Sequence, residues 1–163
     1  MTLEKKFIQS YDLYADSIFR YCYFRVSNRE KAQDIMQDSF MRTWEYIAKG
    51  NEIENIRAFL FKIASNLIVD SYRKRGSVSL DELQEQGFEP AIEESEKIYD
   101  QIDTKTAIES IQKLEERQRE VVLLRYVEEF TPKEIANMIG EDVNVVSVRI
   151  HRGMAELQKI ITS

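Results

Sequence analysis

Apolar residues recur at spacings of three and four in two blocks of this chain, and a stretch with little such periodicity separates them. That spacing marks helices with one buried stripe. In the first block Phe7, Tyr11, Tyr14, Ile18, Tyr21, Cys22 and Arg25 share a stripe, which predicts a helix from about Leu3 to Val26. Ser27 and Glu30 have capping-box spacing and open a second helix to about Ala48, with Ala32, Ile35, Met36, Phe40, Thr43, Trp44 and Ile47 inward. Its polar remainder is Asp34, Gln37, Asp38, Met41, Arg42 and Glu45, a surface with a methionine at its centre. Lys49, Gly50 and Asn51 end that helix. The third begins near Asn55 and turns Ile56, Phe59, Leu60, Ile63, Ala64, Leu67 and Ile68 to the core.

The other faces of the third helix interleave cations, amides and rings: Arg57, Phe61, Lys62, Ser65, Asn66, Asp70, Tyr72, Arg73, Lys74 and Arg75. Single-stranded nucleic acid asks for that mixture, because cations track the backbone while rings and amides meet splayed bases. A basic helix end with two packed aromatics accounts for the same residues.

In the second block TPKEIANMIGEDVNVVSVRIHRGMAEL, from Thr131 to Leu157, reads as two helices joined by a tight turn. Thr131 suits the N-cap, Pro132 the first helical position, and Glu134 closes a capping box. Ile135, Ala136, Met138 and Ile139 form the first helix's apolar stripe, and Gly140 supplies the backbone freedom needed to leave it. The second helix begins near Asp142, with Val146, Ile150, Met154, Leu157 and Ile161 inward and Asn144, Ser147, Val148, His151 and Arg152 outward. A helix held this way can enter a major groove and offer polar side chains to base edges, with Arg149 and Arg152 available to phosphates or guanine.

Charge qualifies the DNA reading. The chain has 29 acidic and 23 basic residues, net −6, whereas a simple duplex-binding domain is usually basic. Residues 1 to 75 carry net +3, residues 76 to 103 net −8, and residues 104 to 163 net −1. The acidity lies in the middle, where GSVSLDELQEQGFEP has the composition of a linker. The expected architecture is therefore all-α, with two small helical domains, 1–75 and 104–163, joined by an acidic linker, 76–103. Each domain is small enough that a partner should add to its stability. A single cysteine, Cys22, excludes an internal disulfide and fits a reducing compartment. No apolar run approaches membrane-spanning length and no signal-peptide pattern opens the chain, so no membrane insertion and a cytoplasmic location are expected. With one histidine, His151, one cysteine, no glycine-rich phosphate loop and no metal-ligand spacing, neither an enzyme nor a cofactor is expected.

The order KAQDIMQDSFMRTWEYI, IRAFLFKIASNLIVDSYRKR, acidic linker, then IQKLEERQREVVLLRYVEEF running into the helix-turn-helix resembles a two-domain sigma factor of the extracytoplasmic-function group. The likeness covers nearly the whole chain. It implies a transcription initiation subunit whose partners are bacterial RNA polymerase core, touched at the clamp helices and the flap, promoter DNA, and an anti-sigma factor. By position, Asp34, Gln37, Asp38, Met41 and Arg42 would dock on the clamp. Asn66, beside the loop from Lys49 to Asn55, would read a base flipped from the minus-ten element, with Arg57, Lys62, Arg73 and Lys74 on the strand backbone. Ser147, Val148, His151 and Arg152 would read the minus-thirty-five element, next to Asn144 and Arg149.

This chain departs from the family's pattern at several places. Asn144 and Val145 stand where relatives commonly have Gly and Thr, Ser147 where Lys or Arg is frequent, and Phe59 where Trp is frequent. The short, uncharged Ser147 implies a smaller phosphate-driven part of affinity in that helix. A helix-turn-helix regulator working without polymerase is the alternative, but it would not need the DIMQDSFMRTW and FLFKIASNLIVDSYRKR segments.

Overall fold

The computed structural model describes residues 2–74 and 101–162, and for 101–105 the backbone only. The acidic segment expected at 76–103 lies outside the described residues as far as residue 100, as does Arg75 of the basic run. The chain divides into two compact units, Met1–Phe88 and Glu89–Ser163. The described residues form seven α-helices and one π-helical segment, with no strand among them.

The first unit is a three-helix packing of α1 (Leu3–Val26), α2 (Arg29–Ala48) and α3 (Ile56–Lys74), each helix against both others. The Thr2 side chain accepts the Lys5 N–H at 3.2 Å and starts α1. Its end corrects the sequence reading. Ser27 is not the N-cap of α2: it closes α1 in the left-handed region, φ 55°, and its N–H donates to the Tyr23 carbonyl at 2.9 Å. An N-cap needs extended backbone, which Asn28 supplies at φ −144°, its side-chain oxygen accepting the Lys31 N–H at 2.9 Å. The shift of one residue puts Lys31 rather than Glu30 at the third helical position, so the expected capping box does not form. Asn55 caps α3 through the Ala58 N–H at 3.1 Å.

The core of this unit is apolar at its centre (Ile18, Leu60, Ala64, Ile68), and at one end buried Phe40 is flanked by half-buried Phe7 and Trp44 and by Tyr11, which the sequence places inward but which is 40% exposed. Phe7 lies 6.1 Å from Phe40 and 5.2 Å from Trp44, and Tyr11 lies 4.8 Å from Phe40, ring centre to ring centre. These contacts tie the start of α1 to the second half of α2. The buried hydroxyls of Ser39 and Thr43 return to the carbonyls four residues back, at 2.7 and 2.8 Å, so α2 buries them satisfied.

The second unit contains α4 (Gln101–Gln112), α5 (Glu116–Val122) with the π-helical segment Leu123–Val127 running on from it, α6 (Pro132–Ile139) and α7 (Val143–Thr162). Val121, Val122, Leu123 and Leu124 are all buried, a run with no polar face that period counting leaves unassigned. The wide turn that follows is set by the Glu128 N–H, which reaches back five residues to the Leu123 carbonyl at 3.0 Å, and by the Phe130 N–H on the Leu124 carbonyl at 2.9 Å. Phe130 is thereby folded into the core, 1% exposed, immediately before the helix-turn-helix.

The α6 boundaries follow the sequence reading closely. Thr131 Oγ1 accepts the Glu134 N–H at 3.1 Å, and Glu134 Oε1 accepts the Thr131 N–H at 2.9 Å, a complete capping box with Pro132 just inside. Gly140 leaves the helix at φ 69°. Asp142 begins α7, its carboxylate accepting the Asn144 N–H at 2.8 Å.

Further along α7 the inward stripe is shorter than expected. Val146 and Ile150 are buried, Met154 and Leu157 half-buried, and Ile161 is exposed. The helices α4, α5 and α6 all pack against this 20-residue helix, and its last turn stays largely exposed. The stripe instead includes Gly153, which the sequence reading passed over. A Cβ there would meet Val122 Cγ2 at 2.8 Å and Gln118 Cβ at 3.4 Å, so the missing side chain is what lets α5 approach α7.

Candidate nucleic-acid and polymerase interface

On α2, Asp34, Gln37, Met41 and Arg42 are exposed and Asp38 partly so, at spacings of three and four that keep them on one side of the helix. Met41 is 61% exposed. Asp38 pairs with Arg42 one turn on, Oδ1 to Nε at 3.3 Å. Such an exposed pair contributes little to stability, so both charges can be redirected to a partner at low cost.

On α3 the structure separates residues that the sequence reading had put on one surface. Lys62, Asn66, Arg73 and Lys74 are exposed. Phe61 and Ser65 are buried, contrary to the expectation that they face nucleic acid. Phe61 packs edge-on against Tyr21 at 5.4 Å. Ser65 Oγ lies 2.8 Å from the Tyr21 hydroxyl, which also accepts from Arg25 Nη1 at 2.8 Å. The Arg25 side chain is fully enclosed, and a buried cation requires polar company, so Ser65 and Tyr21 serve the core. Tyr72 is tied in the same way, its hydroxyl donating to the Arg25 carbonyl. Arg57 is half-buried with its guanidinium 5.3 Å from the centre of the Phe61 ring. The rings on α3 are therefore structural, and what it presents is one row, Lys62, Asn66 and Asp70, that ends in the cations Arg73 and Lys74. Arg73 and Lys74 also sit in its last turn, where the helix dipole favours positive charge.

The loop before α3 turns at Gly50, φ 95°, and is held by the Asn51 amide donating to the Tyr46 carbonyl at 3.1 Å. Cys22 is enclosed in the core of the same unit. Burial pushes its thiol up to about 12, against a smaller downward pull from Arg25.

On α7, Asn144, Ser147, Val148, His151 and Arg152 are all exposed. Arg149 is not on that open face: its side chain is 17% exposed and its Nη2 lies 3.9 Å from Glu141 Oε1. The same carboxylate oxygen is 3.6 Å from Arg117 Nη1 on α5. Glu141 thus braces two cations at the turn of the helix-turn-helix, and Arg149 is oriented by it. The cause is the register: Arg149 neighbours the buried Ile150 and Val146, so its stem leaves along the flank of α7. A shallow depression opens between Arg117 and Gln118 of α5 and Val145, Val148, Arg149 and Arg152 of α7. Among the described residues no cluster of three or more His, Cys, Asp or Glu could hold a metal ion, and no helix is long and apolar enough to cross a membrane.

An exposed polar α2 face, a mainly basic row on α3 and a capped helix-turn-helix in this order fit a DNA-binding transcription factor. Family comparison agrees: residues 11–78 match Sigma-70 region 2, and residues 106–157 match Sigma-70, region 4. The chain is similar to the ECF RNA polymerase sigma factor SigW of Bacillus subtilis, 29% identical over 158 residues, covering 91% of this chain and 84% of that one. It is also similar to the sigma factor YlaC of the same organism, 26% identical, with 93% and 90% covered. In fold it resembles the sigma factor RpoE solved with the anti-sigma factor NepR from Bartonella quintana, at TM-score 0.76, 22% identity, and coverage of 97% and 98%. It likewise resembles CnrH solved with the cytosolic domain of CnrY, at TM-score 0.73, 21% identity, and coverage of 98% and 89%. The chain belongs to the sigma-70 family, in its extracytoplasmic-function group. It is a non-enzymatic initiation factor that binds RNA polymerase core and directs it to specific promoters, and a regulator acting without polymerase is not favoured.

Proposed function

We propose that the work divides at the residue level as follows. Residues 1–75 bind core polymerase and the minus-ten element, residues 104–163 bind the minus-thirty-five element and the flap, and the acidic segment 76–103 connects them. The face of α2 made by Asp34, Gln37, Asp38, Met41 and Arg42 docks on the clamp helices of the largest polymerase subunit. The observation that carries this is Met41, an apolar side chain 61% exposed at the centre of a charged face. A protein interface has that anatomy, with an apolar anchor inside a polar rim.

On α3, Asn66 reads a base turned out of the melted minus-ten element, while Lys62, Arg73 and Lys74 hold the strand by its phosphates and Arg57 supports them from its place over Phe61. Flipping costs a few kcal/mol of stacking, so the fit around Asn66 decides which promoters open. On α7, Asn144, Ser147, Val148, His151 and Arg152 meet the upstream duplex, and Arg149 is a phosphate contact once Glu141 releases it. An anti-sigma factor is the natural antagonist, as for the RpoE structure solved with NepR, and the cytoplasm is the place of action.

The direct test of the docking face is Asp38→Arg. It is expected to abolish binding of core polymerase while the far-ultraviolet circular dichroism and the unfolding midpoint stay unchanged, since Asp38 supports only an exposed pair. Undiminished capture of core by the variant would remove α2 from the interface.

A further inference from the structure

Val145 and Val148 stand 42% and 48% exposed on the first turns of α7. Nothing in the fold calls for valine there, since branched side chains lower helix propensity and both leave apolar surface in water. Their spacing of three puts them on one side of the helix, the side that forms the shallow depression facing Arg117 and Gln118 of α5. Arg149 and Arg152 line the same depression with Asn144 and Glu115, so the two valines lie among three guanidinium groups and one carboxylate. Arg117 is 63% exposed, and one Glu141 oxygen serves both it and Arg149. A lining with this cation excess suits a polyanion, and the valines suit an apolar group carried on it.

In the major groove of a duplex the one apolar group on any base edge is the 5-methyl of thymine. We infer that Val145 and Val148 form a thymine-methyl subsite, in which one or two thymines of the upstream element pack on the valines while their strand's phosphates face Arg117 and Arg152. This deepens the assignment of α7 to the upstream element and rests on it. It also gives Ser147 a consistent place. A short, uncharged side chain beside the valines brings no cation to hold a guanine, which leaves the methyl groups to weigh more in selectivity at these steps.

Uracil pairs with adenine as thymine does and lacks only the methyl, so it tests the contact atom by atom. The probe is a promoter duplex that the reconstituted holoenzyme uses on a genomic fragment pool, resynthesised with uracil at one upstream thymine at a time. One or two positions are expected to lose about fourfold in holoenzyme affinity, the worth of one buried methyl-sized group. In the double variant Val145→Ala, Val148→Ala, which keeps the helix, that loss should disappear while the penalty for uracil elsewhere is unchanged. Holoenzyme indifferent to uracil at every upstream thymine, an upstream element without A·T pairs, or an undiminished penalty in the double variant would each overturn the subsite. Loss of core binding by the double variant with no uracil effect would make the valines a polymerase contact instead. A protein that drives no starts on the pool at all would overturn the assignment of α7 as well.

Discussion

Helices α3 and α7 are each proposed to read DNA, yet they expose very different amounts of themselves. Between Ile56 and Tyr72 of α3 only Lys62, Asn66 and Asp70 are exposed, a single row four residues apart. Between Val143 and Arg152 of α7, seven of ten residues are exposed, all but Val146, Arg149 and Ile150. The cause is packing. Both α1 and α2 lean on α3 and take two of its sides, so aromatic and polar residues alike are drawn inward. The first turns of α7 are braced from one side by short helices and stand free on the other. A helix wedged between two neighbours can present only a narrow strip, suited to one extruded base and its backbone. A helix held from one side can present a broad face, suited to several base pairs of a duplex.

That contrast is most exposed to disproof at Phe61. If its ring is structural, Phe61→Ala should destabilise the first unit by about 3 to 5 kcal/mol in denaturant unfolding, while Asn66→Ala changes stability hardly at all and impairs promoter opening. A stable Phe61→Ala protein with poor strand binding would restore the ring to the DNA face. In the second unit, Gly153→Ala should cost about 1 to 3 kcal/mol, because a methyl group 2.8 Å from Val122 Cγ2 forces α7 away from α5. An unshifted unfolding midpoint would mean the two helices have room to give.

Of similar size but on binding rather than folding, Arg152→Ala should weaken the upstream promoter contact by about 1 to 3 kcal/mol, seen as a shortened upstream footprint. The last effect concerns the thiol and is confined to alkaline pH. Burial raises Cys22 from 9.0 to about 12, so the stability this group contributes is whole below about pH 9 and is lost as pH climbs toward 12. Cys22→Ala should flatten that part of the alkaline unfolding curve of the first unit, and the second unit, which has no cysteine, provides the internal reference.

Where local chemistry decides, the sequence was a close guide. The bounds of α1, the Thr131 to Glu134 box, the exit at Gly140 and the open face of α2 all depend on residues within a turn of one another. Where a second neighbour decides, it was not. Periodicity reports one buried stripe per helix, so it could not reveal that Phe61 and Ser65 are buried on α3 by the demands of Arg25 and Tyr21, 36 to 44 residues away. The same limit hid the close approach at Gly153 and the wide turn after Leu124. A glycine at stripe spacing in RIHRGM, three residues after Ile150, was the one available sign of the former. Ser27 and Asn28 show the finer ambiguity: either could cap α2, and the choice falls to the residue not needed to close α1.

This chain supplies promoter choice to core polymerase, and a narrow strip for the melted element with a broad face for the upstream one is the proposed means. Run-off transcription by purified bacterial core polymerase on a genomic fragment pool, with and without the protein, tests it most directly. New protein-dependent starts that share two spaced elements are expected. Absence of such starts, together with duplex binding by the protein alone, would contradict it.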